Sequence, residues 1–90
     1  MESYNIEWKN SAKKELRRLP KKIINSIITA IEGLANNPYP ASSRKLIGAE
    51  HTYRQRIGDY RIIYSIENNL LVIEIIRISH RKDVYKNLTE

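Results

Sequence analysis

The stretch Tyr53-Arg54-Gln55-Arg56-Ile57-Gly58-Asp59-Tyr60-Arg61-Ile62-Ile63-Tyr64 decides how this chain is read. Gly58-Asp59 is a tight two-residue turn signal between two segments of alternating pattern, the mark of a β-hairpin. A two-residue loop pairs Ile57 with Tyr60 and sets Arg56 opposite Arg61. Arg54 falls on the same face two residues along, because side chains alternate along a strand. Like charges directly opposite each other destabilise a sheet. Three arginines in that position are therefore expected to hold an anion, with phosphate the first candidate. The guanidinium fork matches phosphate oxygens in a bidentate way. The plainer alternative is a solvated sheet face with its charges splayed apart.

Working outward, Glu67-Asn68-Asn69 is a second turn signal, followed by a β-branched strand over about Leu70 to Ile78. With Asn68-Asn69 at the tip, Tyr60, Ile62, Tyr64 and Ile66 share a face with Leu71, Ile73 and Ile75. That face is expected to meet helices, with Arg54, Arg56 and Arg61 on the open one. Upstream of the hairpin strand, which starts near His51, residues 36–43 hold two prolines and two serines and read as a loop. Before it, Ile23, Ile24, Ile27, Ile28, Ile31 and Leu34 form a continuous apolar stripe at helical spacing. Pro20 suits the start of that helix and ends a preceding one. The preceding helix buries Ala12, Leu16 and Leu19, carries Lys13, Lys14, Arg17 and Arg18 opposite, and has Asn10 or Ser11 as its expected cap. Tyr4, Ile6 and Trp8 alternate with polar residues as a short first strand. A helical tail is expected over about Arg81 to Leu88.

The expected fold is thus α+β, in the order β-α-α-β-β-β-(α). Two N-terminal helices pack on one face of a small, mainly antiparallel sheet. Ninety residues are expected to form one domain, residues 1–90, with one modest core. There is no cysteine, so disulfides and thiolate chemistry are excluded. That absence agrees with a reducing compartment. No apolar run approaches the roughly 20 residues of a membrane span, and the N-terminus lacks signal-peptide regions. A cytoplasmic protein is expected. The net charge of +6 favours a polyanionic partner: nucleic acid, an acidic protein, or both in turn.

A second cluster, Ser79-His80-Arg81-Lys82-Asp83-Val84-Tyr85, places Arg81 and Tyr85 four residues apart, on one face if helical. Tyr85 is suited to stacking on a base or polarising a hydroxyl; a tyrosine docked on the core is the structural alternative. His80 and His51 are the only imidazoles, and a lone histidine beside an arginine is more often a surface or turn residue. Two histidines, no cysteine and scattered acids give no metal-ligand spacing, and no cofactor is expected. Lys13, Lys14, Arg17, Arg18, Lys21 and Lys22 form a basic flank. It is either a solubilising face or, with Lys13 and Arg17 foremost, a contact for RNA phosphates away from the reaction site.

The two segments Arg54-Gln55-Arg56…Gly58-Asp59-Tyr60-Arg61-Ile62-Ile63-Tyr64 and His80-Arg81-Lys82-Asp83-Val84-Tyr85 together resemble the RelE branch of the RelE/ParE toxin superfamily. The resemblance spans almost the whole chain, including the Lys45-Leu46-Ile47-Gly48 approach to the hairpin. It implies a toxin of a type II toxin–antitoxin pair that cleaves mRNA in the ribosomal A site. In that reaction a ribose 2′-OH attacks the adjacent phosphate, leaving a cyclic phosphate and a 5′-OH. The resemblance puts Arg61, Arg81 and Tyr85 on family active-site positions. Arg54 and Arg56 stand where the family commonly has lysines, and would bind the RNA backbone. It also implies an acidic, RelB-like antitoxin as partner.

Arginine cannot act as a base as a lysine of depressed pKa can, so His80, Tyr85 or a ribosomal RNA group is expected to move the proton. A related branch uses a glutamate with a terminal His-Tyr; this chain has Arg44 near that glutamate position and ends differently. Two rival expectations share the fold: a ParE-like inhibitor of DNA gyrase, and an RNA-binding domain without cutting activity.

Overall fold

The computed structural model describes residues 3–82. Its elements run β1 (Asn5–Trp8), α1 (Asn10–Arg17), α2 (Lys21–Leu34), β2 (Ser43–Lys45), β3 (Thr52–Ile57), β4 (Tyr60–Glu67) and β5 (Val72–His80). Five strands form one sheet in the order β1-β5-β4-β3-β2. Only the β1–β5 pair is parallel. The α+β order follows the expected pattern with one addition. Β2 is a strand of three residues inside what reads as loop and approach, because Ser-Arg-Lys carries no apolar alternation to announce it. The expected helical tail beyond Lys82 lies outside the described residues.

The first hairpin closes as its turn residues dictate. Ile57 pairs with Tyr60 and Arg56 with Arg61, and Gly58 adopts a φ of 57°, a region that costs a side-chain-bearing residue energy.

The second hairpin departs from expectation. Its loop is four residues, 68–71, with Leu71 at φ 53°. The register therefore moves by two: Ile66 pairs with Ile73 and Tyr64 with Ile75. An even shift leaves side chains on their faces, so Ile73 and Ile75 still join Tyr64 and Ile66. Leu71 drops out of the strand. A β-bulge then follows, since Tyr64 pairs with Ile75 but Ile63 with Arg77. The extra residue reverses facing for the rest of β5. Ser79 comes to the side of Arg61, and His80 to the side of Tyr60.

The core lies between the helices and one sheet face. Ala12, Ile27, Ile31 and Leu34 meet Ile62, Tyr64, Ile66, Ile73, Ile75 and Ile78, all buried. Each of the isoleucine and leucine side chains contributes about 1.5–3 kcal/mol of transfer free energy. Trp8, Leu16, Leu19 and Ile23 close its rim. Helix α1 begins without the expected side-chain cap: Lys9 holds the N-cap position with no capping bond. Lys9 N–H donates to Ile75 O (3.0 Å), so β1 is held to the sheet up to the residue where the helix starts. Pro20 takes the N-cap position of α2. The Tyr64 hydroxyl donates to Pro38 O (2.9 Å), tying the loop after α2 to the sheet.

Candidate phosphate-binding site

The other sheet face carries the basic residues. Arg44 pairs directly with Arg54 across β2–β3, and Arg56 with Arg61 across β3–β4. With Ser42 and Gly58 these four arginines line a cleft of ≈ 510 Å³. Among the described residues, no carboxylate lines it. Paired like charges need compensation, and the backbone supplies part of it. Arg61 is only 8% exposed, and its Nη1 donates to Gly58 O (3.3 Å) and Tyr60 O (3.1 Å). Arg56 Nε donates to the same Gly58 carbonyl (3.4 Å). Arg44 Nη1 donates to Ala41 O (2.9 Å) and Ser43 O (2.8 Å). The turn that brings the charges together thus also orients them. A row of guanidiniums held by carbonyl dipoles suits an anion with several oxygens.

Arg44 was not among the expected site residues. It becomes one through β2, whose pairing with β3 sets it opposite Arg54. The signal available was an arginine between two polar residues a few positions before the hairpin. That is legible only once the segment is known to be a strand.

Arg81 stands at the tip of the same hairpin. Its backbone N–H donates to Asp59 O (2.7 Å), and its Nε lies 3.8 Å from the Asp59 carboxylate. Asp59 follows Gly58, which lines the cleft, so Arg81 is held next to the cleft through the turn and is not itself among the lining residues. His80 is on the other side of the sheet. Its ring meets Tyr60 edge-on at 5.3 Å, and it lines a separate depression with Glu15, Arg18 and Arg77. The bulge in β5 is the reason. Lys13 and Arg17 are exposed on α1, where they border an apolar groove formed with Trp8, Leu16 and Ile28, apart from the arginine cleft. Tyr85 lies outside the described residues. Among the described residues, no three His, Cys, Asp or Glu side chains cluster as a metal site. No helix among them is long and apolar enough to cross a membrane.

Comparison with known proteins is consistent across sequence and structure. Residues 6–85 match the family model described as ParE toxin of type II toxin–antitoxin system, parDE. A Methanocaldococcus jannaschii protein named "Putative toxin RelE1" is 33% identical over 87 residues, 93% of this chain and 97% of that protein. Toxin RelE of Mycobacterium tuberculosis is 32% identical over 84 residues, 92% of this chain and 87% of its own length. Among solved structures, the archaeal RelE–RelB complex of Pyrococcus horikoshii aligns with a TM-score of 0.79 at 31% identity, covering 88% of this chain and 96% of that one. The chain belongs to this toxin family, as a RelE-type toxin of a type II toxin–antitoxin system.

Proposed function

We propose that this toxin is an endoribonuclease that cuts mRNA in the ribosomal A site and so stops translation. The observation that carries the reading is the four-arginine cleft around buried Arg61. In the reaction the ribose 2′-oxygen attacks the adjacent phosphorus and the bond to the 5′-oxygen breaks. The 2′-OH gives up a proton and the leaving 5′-oxygen takes one. Arg61 and Arg81 stabilise charge on the phosphorane, where fixed donors count most. Arg44, Arg54 and Arg56 hold the flanking backbone. None of these can serve as the base. His80 packs against Tyr60 on the far side of the sheet, which favours Tyr85 or a ribosomal RNA group for the proton. The work is done in the cytoplasm, with no metal or cofactor.

The natural inhibitor in this reading is an acidic RelB-like antitoxin, drawn electrostatically to a +6 protein. The Pyrococcus horikoshii relative is a RelE–RelB complex, which supports that choice. A second reading, a ParE-like gyrase poison, is favoured by the description of the matching family model.

One assay separates them: the toxin is added to a translation reaction and mRNA 5′ ends are mapped. Codon-phased cuts are expected, falling about 10²–10³-fold in Arg61→Ala, the loss typical of a transition-state donor. Uncut mRNA together with trapped gyrase–DNA complexes would transfer the reading to the second alternative.

A further inference from the structure

β1 covers the outer edge of β5 only from Val72 to Ile75; β5 continues to His80. Beyond that point no strand among the described residues lies beside the edge, and its outward N–H groups need acceptors. Glu15 of α1 supplies one. Its Oε1 accepts the Ile78 backbone N–H at 2.9 Å. Its Oε2 lies 3.6 Å from Arg77 Nε, with the two side chains only 26% and 29% exposed. A helix carboxylate therefore satisfies an edge N–H just past the β-bulge. Three residues further on, Arg81 is bonded through its N–H to the Asp59 carbonyl of the β3–β4 turn. The end of β5 is thus held from both sides: by Glu15 at its outer edge, and by the hairpin tip at its inner one.

We propose that Glu15 is a positioning residue that sets Arg81 beside the arginine cleft, acting through the edge of β5. The role assigned to Arg81 rests on the RNA-cleaving reading above. Glu15 is remote from the cleft lining, so it acts on the placement of Arg81 and not on RNA binding by the other arginines. Glu15→Ala keeps a good helix former in α1 and removes both contacts. Glu15→Gln keeps an oxygen for the Ile78 N–H and loses the ion pair.

The test combines cleavage kinetics with amide exchange. Glu15→Ala should lower the cleavage rate at saturating mRNA about tenfold and leave the half-saturating concentration within about threefold. In an Arg81→Ala background the same change should cost less than about twofold, since residues acting through one another are not additive. Glu15→Gln should recover most of the rate. The Arg81 amide should exchange about tenfold faster in Glu15→Ala while amides of β4 in the first hairpin stay protected.

Unchanged cleavage in Glu15→Ala, an equal loss in the Arg81→Ala background, or no rescue by Glu15→Gln each overturns the proposal. If the parent protein does not cut mRNA, the RNA reading falls and exchange decides alone. Faster exchange at Arg81 then upholds the anchor, and unaltered exchange removes it.

Discussion

On the helix side of β4, Ile62, Tyr64 and Ile66 are sealed in the core, each at most 1% exposed. On the other side, Arg61 stands opposite Arg56 in a cleft shared with Arg44 and Arg54. These surfaces meet on one strand, where Arg61 directly precedes Ile62. The first is stabilised by removal of apolar area from water; the second gathers like charge, offset in part by backbone carbonyls that accept from Arg44, Arg56 and Arg61. A strand can serve both purposes because alternation sends neighbouring side chains to opposite faces.

That division makes a demand on paired substitutions. Ile62→Ala should lose about 2–5 kcal/mol of folding stability, the usual range for emptying a core site of this kind, read from urea unfolding. Arg61→Ala should change stability by less than about 1 kcal/mol, because relief of the charge facing Arg56 offsets two lost bonds to carbonyls. An Arg61→Ala variant as unstable as Ile62→Ala would break the comparison, making the arginine face part of the structural core.

A smaller effect sharpens it at the turn. Gly58→Val should cost about 1–2 kcal/mol, since a φ of 57° is strained for a side chain with a Cβ. It should also weaken phosphate binding by disturbing the Arg56–Arg61 pairing. By contrast, Gly33→Ala in the last turn of α2 should be neutral or stabilise by up to about 1 kcal/mol, because no atom lies within 4 Å of an added Cβ. Equal losses at the two glycines would show that backbone conformation is not what the turn requires. Thermal midpoints of the two variants decide.

Another modest effect lies on the core side. Burial raises the Tyr64 hydroxyl above its ordinary value of 10.0. The unfolded chain therefore ionises first as pH rises. The stability linked to Tyr64 is fully present below about pH 10 and is lost above it, up to the raised folded value. Tyr64→Phe should cost about 1 kcal/mol at neutral pH, for the bond to Pro38. It should flatten the decline of stability in the alkaline range; an unchanged alkaline slope would assign that decline to other groups.

What could be read ahead of the structure follows how local each determinant is. Gly58-Asp59 specifies its turn within two residues, and the Ile57–Tyr60 and Arg56–Arg61 pairs follow from it. The apolar stripe of α2 is equally self-contained. Asn68-Asn69 is a weaker instruction. The loop instead extends to Leu71 in a left-handed conformation, and only the even register shift preserves the faces of Ile73 and Ile75. The bulge near Ile76 has no turn residue to mark it, yet it turns His80 away from the cleft and Ser79 towards Arg61's side. Arg44 was hidden for a related reason: Ser43-Arg44-Lys45 becomes a strand because β3 offers an edge, a tertiary cause that the three residues do not encode. The arginines of the hairpin were therefore legible as a group, whereas the groups that join or leave them depend on contacts made far along the chain.

One consequence of the strand order concerns synthesis. Of the described strands β1 emerges first from a ribosome, yet its partner in the sheet is β5, the last of them. The β3–β4 hairpin can close soon after it is made, while β1 must wait for nearly all of the chain, since distant pairings form late. The basic hairpin is thus available before the sheet beneath it is complete. A toxin still being translated would close its basic hairpin before β1, made earlier, finds its place in the sheet.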